Sequence, residues 1–282
     1  MSFEQWKSAP INTLFLLDGS PDGVLAWEDG SALLAFQRKP RITTVSIAAR
    51  NVGALADLLE AAMREPPFPP PWDLRIGQPD IRAIRRLAEP LGWEAAQHYV
   101  ALLRSELTRL PTPRPVVRPA TSEEAESLIA LDTATRAGEF RTLPTSDEVS
   151  TWLAEDQVFV TEDDEGLTGF VVTWCYPRDV RDHQFIAALA VTERARDSDV
   201  GRSLLLTALH WGRETGARKA LAWVEKNDLE SRRLYEALGF EAYGDEELHL
   251  LWSGRLRTPA PAERDPGRAT AAPAPCPPWK RR

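Results

Sequence analysis

An eleven-residue segment of this chain occurs twice. Arg85-Arg86-Leu87-Ala88-Glu89-Pro90-Leu91-Gly92-Trp93-Glu94-Ala95 is matched by Arg232-Arg233-Leu234-Tyr235-Glu236-Ala237-Leu238-Gly239-Phe240-Glu241-Ala242, at a constant offset of 147 residues. A chain rich in Arg, Leu and Ala produces scattered matches. A shared Leu-Gly-aromatic-Glu-Ala ending held at one offset points instead to duplication of a similar fold. Each copy must contain a helix that stops at a glycine able to take the left-handed cap and then continues past an aromatic residue. With 282 residues and 43% hydrophobic content the chain can build two domains with real cores.

The first copy starts with a strand-like run at 12–18 and a hairpin, 23–27 against 32–36, around Glu28–Gly30. A strand at 42–48 leads to a helix over 52–63 that ends before Pro66 and Pro67, and the prolines through Pro71 enforce an extended loop. A short strand at 74–76, a helix over 79–91 and a strand at 99–103 complete it. Pro111, Pro113 and Pro115 mark a linker. The second copy has a strand at 116–118, then Thr121 with Glu124 as a capping box opening a helix to about Asp132. A helix at 146–154 precedes a hairpin, 158–162 with 167–176. The expected α/β (α+β) organisation is a first domain at 1–110, a linker at 111–116, a second domain at 117–257 and a disordered Pro/Ala-rich tail at 258–282.

Residues 187–206 carry the strongest chemical signal: an apolar run, a short polar bend, and an amphipathic helix whose first turn holds Gly201 and Arg202. A strand-to-helix junction presents unpaired backbone N–H groups and the positive end of a helix dipole, which suits phosphate. Arg196 and Arg202 flank it with guanidinium forks. On pattern alone a pyrophosphate cradle and an ordinary crossover turn both fit. Beyond the bend come a helix over 200–215, a strand at 220–225, a helix over 229–238 and a strand at 247–252. In the first copy the comparable passage, 47–53, is too short to form such a loop, and Pro90 interrupts the later helix. Chemistry is therefore expected in the second copy.

Composition narrows the function. A net charge of −8 argues against a general nucleic-acid binder. Cys175 and Cys276 are the only cysteines and His98, His183, His210 and His249 show no ligand spacing, which disfavours disulfide frameworks and metal sites. No leader-like or membrane-spanning apolar run is present, so a cytoplasmic protein is expected.

The second half resembles the GNAT superfamily of acetyl-coenzyme A-dependent N-acetyltransferases, and the first half looks like a degenerate copy, as in tandem members. Two motifs carry the resemblance: the loop Arg196-Asp197-Ser198-Asp199-Val200-Gly201 between a strand and a helix, and Leu234-Tyr235-Glu236-Ala237-Leu238-Gly239-Phe240. The resemblance implies two domains, each a mixed, mostly antiparallel sheet flanked by helices, with splayed strands that receive the pantetheine arm. It implies that backbone groups of Leu189, Ala190 and Val191 pair with that arm, and that Arg196, Asp197, Ser198, Asp199, Val200, Gly201, Arg202 and Ser203 surround the pyrophosphate. Gly201 would permit close backbone approach. Asp199 departs from the family's glycine, and aspartate fits poorly if that position needs positive φ.

By the same resemblance Tyr235 protonates the departing thiolate. Asn227 stands where a cofactor-contacting asparagine often occurs, although with Glu230 it also makes a plausible capping pair. The family's strand carboxylate is missing from His183-Gln184-Phe185-Ile186-Ala187-Ala188, leaving His183 as the candidate base. Glu139, Arg141 and Asp182 could shape an acceptor site. The expected activity is acetyl transfer from acetyl-CoA to an amine of a small molecule or protein; the alternative is a non-catalytic acyl-CoA-binding or interaction module.

Overall fold

The computed structural model describes residues 6, 9–13, 20–26, 30–39, 41–77, 80–114, 116–135, 144–175, 182–196 and 198–255. Asp197, Glu139, Arg141, most of the 12–18 run and the tail at 258–282 lie outside them. In chain order the first elements are β1 (Ile11–Asn12), β2 (Gly23–Ala26), β3 (Ala32–Arg38), β4 (Thr43–Ala49), α1 (Val52–Arg64), β5 (Trp72–Gly77), α2 (Ile81–Ala88) and β6 (Glu94–Arg104). The later ones are β7 (Arg118–Pro119), α3 (Ala125–Thr135), α4 (Ser146–Glu155), β8 (Gln157–Asp163), β9 (Gly166–Cys175), β10 (His183–Val191), α5 (Val200–Thr215), β11 (Lys219–Glu225), α6 (Leu229–Ala237) and β12 (Glu241–Trp252).

The chain forms two compact units that are not its linear halves. Unit 2 runs from Tyr99 to Asp245, and unit 1 takes everything before it together with Glu246 onward. The sequence predicts a linear division at 110 and 117; instead each unit's sheet receives the other copy's last strand. β6 pairs antiparallel with β11 from Tyr99↔Glu225 to Arg104↔Ala220. β12 pairs antiparallel with β5 from Glu247↔Gly77 to Trp252↔Trp72. Hydrophobic patterning specifies which face of a strand is buried but not which partner it finds, so the exchange leaves no trace in the pattern.

In unit 1, α1 and α2 bury Leu55, Leu58, Leu59 and Ile84 against Leu34, Val45, Ile47, Leu74 and Leu250. At its centre Trp72 sits with Trp252 and Trp93, ring centroids 4.7 and 6.4 Å away. Strand alternation sends Asp73, Arg75, Glu247 and His249 to the opposite face from Trp72, Leu74, Leu248 and Leu250. There His249 is clamped, Nδ1 3.1 Å from Asp73 and Nε2 2.9 Å from Glu247. Burial opposes the charge on His249, yet hydrogen bonds to both carboxylates outweigh it and raise its pKa to about 9.

In unit 2 the strand order is β6-β11-β10-β9-β8-β7. All these neighbours are antiparallel except β10 and β11. α5 packs Leu204, Leu205 and Leu209 on one face, where Ile186, Ala222, Val224 and Tyr235 are also buried. α3 packs Leu128 and Leu131, and α4 packs Val149, against Val160, Phe170 and Val172 on the other. The sheet is thus mixed, mostly antiparallel, and flanked by helices.

Both repeated segments end in the same way. Gly92 has φ 100° and Gly239 φ 77°, the left-handed conformation that glycine adopts without Cβ strain. The N–H of Gly92 bonds Glu89 O and that of Trp93 bonds Ala88 O; the N–H of Gly239 bonds Glu236 O and that of Phe240 bonds Tyr235 O. The cap is therefore duplicated bond for bond at the sequence offset, and Trp93 and Phe240 are both buried behind it.

Candidate functional site

The site is organised by β10. Its parallel ladder with β11 runs only from His183↔Lys219 to Ile186↔Ala222, although β10 continues to Val191 and β11 to Glu225. The register with β9 shifts between Ile186 and Ala188, which is a β-bulge. A bulge re-aims side chains: Ile186, Leu189 and Val191 face α5, whereas Ala187, Ala188 and Ala190 face α3 and α4. The last three positions of β10 therefore lie beside an opening in the sheet. Gln184, fully buried, donates from Nε2 to Ala208 O at 2.7 Å and to Thr173 Oγ1 at 2.8 Å, tying β10 to α5. Gly212 leaves the space that Gln184 fills, since a Cβ there would come within 2.2 Å of its amide oxygen. Neither residue stands out in the sequence, where the only signal is a glycine inside a helical pattern.

After β10 the chain makes a helical turn at Glu193–Ala195 and reaches α5. The hydroxyl of Ser198 donates to Ala195 O and accepts the Val200 N–H at 3.4 Å. Asp199 is the N-cap of α5, with φ −73°, ψ 6° and no side-chain cap hydrogen bond. The concern that this aspartate sits where glycine is needed is thus removed, because no positive φ is required. The Asp199 side chain makes no cap bond, and among the described residues only Ser198 Oγ, at 3.4 Å from the Val200 N, meets a first-turn N–H at the positive end of this sixteen-residue helix. Gly201 has a packing reason: a Cβ would lie 3.2 Å from Leu234 and 3.4 Å from Val191. This reason stands beside the expected one, approach to a ligand.

Other expectations shift by a residue or more. α6 is capped by Asp228, whose Oδ1 accepts the Ser231 N–H at 2.9 Å, and not by Asn227. Asn227 instead bonds the Glu225 carboxylate through its backbone N–H at 2.6 Å. Ser203 is buried and accepts the Arg114 N–H at 3.2 Å, so its hydroxyl is held by the linker. Arg196 pairs with Glu193 at 2.7 Å. His183 stands on the closed part of the ladder, its Nδ1 3.3 Å from Asp182, several residues before the opening. Tyr235 is 5% exposed on α6, its ring edge-on to Phe240 at 5.1 Å, in the buried cluster against which Leu189 and Val191 pack.

Between α5 and the linker lies a cleft of about 470 Å³, lined by Pro111, Pro113, Arg114, Asp199, Arg202 and Leu206 among others. It adjoins the α5 N-terminus through Asp199 and Arg202.

Residues 126–240 match the Acetyltransferase (GNAT) family model. That segment is a GNAT domain. It contains the bulged β10, the loop, α5, β11 and α6. A curated relative, the mycothiol acetyltransferase of Thermomonospora curvata, is 29% identical over 98 residues, 35% of this chain and 32% of the relative. The match thus spans about a third of the curated relative's length. Among solved structures, the GCN5-related N-acetyltransferase from Sphaerobacter thermophilus aligns over 89% of this chain and 84% of its own, with TM-score 0.61 and 15% identity. A tandem GNAT protein from the clavulanic acid biosynthesis pathway aligns over 84% and 86%, with TM-score 0.54 and 14% identity. Likeness at this identity establishes fold, and it extends well beyond the GNAT domain into the first copy.

The family matched over residues 126–240 is one of acetyltransferases, and the GNAT domain has features that bear on a coenzyme A ligand. Its sheet opens next to Leu189–Val191, the Asp199 side chain leaves the α5 N-terminus without a cap bond, and two arginines border the adjoining cleft. The opening and the helix end lie in succession along the chain path from strand to helix.

Proposed function

We propose that the GNAT domain catalyses transfer of an acetyl group from acetyl-CoA to an amine bound in the same complex. The observation that carries this reading is the coincidence of the β10–β11 opening with the N-terminus of α5, which the Asp199 side chain leaves without a cap bond, nine residues along the chain from Val191 to Val200. The backbone of Leu189, Ala190 and Val191 lines the opening for an extended arm. The first-turn N–H groups of α5, with Arg196 and Arg202 alongside, hold the diphosphate. Acetyl-CoA supplies an activated acyl group when bound. Tyr235 is the acid: a phenol held in a buried cluster donates a proton to the departing thiolate.

The acceptor is a small-molecule or protein amine. A panel of acceptors starts with mycothiol-related compounds, after the name of the curated relative, and includes lysine-containing peptides. A second reading, binding without catalysis, is favoured by the absence of any carboxylate on β10 and by the position of His183 on the closed ladder next to Asp182. Two measurements separate them. Melting temperature should rise with millimolar acetyl-CoA and not with adenosine. Release of free coenzyme A in the presence of an amine then marks catalysis, and a thermal shift with no release for any acceptor marks binding alone. No shift at all would sink both.

A further inference from the structure

The linker does more than join the two copies. It runs antiparallel along α5 and is pinned at two points: Pro111 O lies 3.0 Å from His210 Nε2, and the Arg114 N–H donates to Ser203 Oγ at 3.2 Å. The two anchors on α5 are seven positions apart, about 10 Å of helix axis. The backbone at Arg114 is therefore fixed, while its side chain is 86% exposed and able to reorient. Its guanidinium lies 4.0 Å from the carboxylate of Asp199, the residue that opens α5.

Between these two segments lies the cleft. Pro111, Pro113 and Leu206 give it apolar walls, and Arg114 and Arg202 place cations at the end nearest the α5 N-terminus. Its volume of about 470 Å³ suits a mononucleotide. The Asp199 carboxylate would repel an anion there, and Arg114 is placed to offset it.

Resting on the acetyl-CoA reading above, we infer that the cleft receives the nucleotide end of coenzyme A and that Arg114 recognises its 3′-phosphate. The diphosphate sits at the α5 N-terminus, which shares Asp199 and Arg202 with the cleft, so the adenosine must leave from that point. A phosphomonoester carries up to two charges and three acceptor oxygens near neutral pH, and it is the densest charge on the ligand. An arginine with an exposed fork and an anchored backbone matches it bidentately. Arg114 thus sets specificity for coenzyme A over its 3′-dephospho form, and the linker that supplies it belongs to the site.

The test is calorimetric titration of the full-length protein with coenzyme A and with 3′-dephospho-coenzyme A. The wild-type protein should bind coenzyme A about tenfold more tightly, the scale of one charge-assisted contact at an exposed site. Arg114→Ala should weaken coenzyme A about tenfold, leave the dephospho form within twofold and leave the melting temperature unchanged, since the side chain is solvent-exposed. Arg114→Lys should recover part of the preference. Arg202→Ala should weaken both ligands. An unchanged affinity ratio in Arg114→Ala, or an equal loss for both ligands, overturns the assignment of Arg114 while leaving the acetyl-CoA reading intact. Wild-type protein that binds neither ligand overturns both.

Discussion

The two units have similar sheets and differ at the ends of their strands. In unit 1 the parallel β4–β5 ladder runs only from Thr43↔Trp72 to Val45↔Leu74, and in unit 2 the β10–β11 ladder is similarly short. Both pairs then part. The passage into the next helix is where they diverge: β4 ends at Ala49 and α1 begins at Val52, whereas β10 ends at Val191 and α5 begins at Val200. In unit 1 the Asn51 side chain accepts the Ala54 N–H at 2.9 Å and closes the helix end; in unit 2 Asp199 makes no such bond. At the repeat offset Tyr235 falls against Ala88. The opening in the sheet belongs to the shared fold. What sets unit 2 apart is a longer loop, a helix end that its Asp199 side chain does not cap, and one phenol; the proposed chemistry rests on these.

The sharpest way to break this comparison is through unit 1's own buried charges. Removing His249 leaves Asp73 and Glu247 without their shared cation in a largely buried setting. His249→Ala should cost about 3–5 kcal/mol in chemical denaturation. A loss below about 1 kcal/mol would show that the network is not what fixes β12 to β5. The same group gives a pH signature. Its folded pKa, about 9, exceeds the ordinary histidine value near 6.5, so its stabilisation is complete below about pH 6.5 and disappears as pH rises through 9. Melting temperature should therefore fall over that window in the wild-type protein and stay flatter in the variant.

Next in size is the phenol. Tyr235→Phe should lower kcat about 100-fold while the acetyl-CoA dissociation constant changes less than about twofold. The ring and its packing on Phe240 are retained, so stability should hold. Unaltered turnover would erase the distinction from Ala88 and move the acid role elsewhere.

The smallest effects concern the helix ends, and they should have unequal sizes. Asn51→Ala removes a cap bond and should cost about 1 kcal/mol. Asp199→Ala removes none and should cost only a few tenths, through the lost dipole interaction of its charge. It should also tighten acetyl-CoA binding about threefold by removing a carboxylate from the anion site. Equal costs would mean that the Asp199 side chain caps α5 in solution after all.

The sequence is readable where local chemistry decides. Its pattern places α5 at 200–215 and the helix is found there, because its apolar face begins after a polar bend and ends at Gly216, which has φ 101°. The Thr121–Glu124 capping box forms, with Glu124 accepting the Thr121 N–H at 2.8 Å. Legibility fails where position depends on partners distant in sequence. The bulge after Ile186 is set by pairing with β9, and the ladder's early end by divergence of β10 and β11. β12 begins at Glu241, although residues 242–247 carry no apolar alternation, because their polar side chains are mostly exposed. The polar alternation of Asp73 with Arg75 and of Glu247 with His249 is visible, but nothing local shows that the two pairs meet across the whole of unit 2. Asn227 and Asp228 are both competent caps, and only the chain's course into α6 decides between them.

The exchange of last strands also bears on synthesis. Protein chains emerge N-terminus first, and β5 waits for β12, which is made only after the whole of unit 2. Unit 1 carries its tryptophan-rich core exposed along one edge until then, while β6 is already available when β11 is made. Unit 2 can therefore finish first on the ribosome, and the first-made unit is the last to close. A released chain truncated after Asp245 should protect unit 2 from protease and leave unit 1 susceptible.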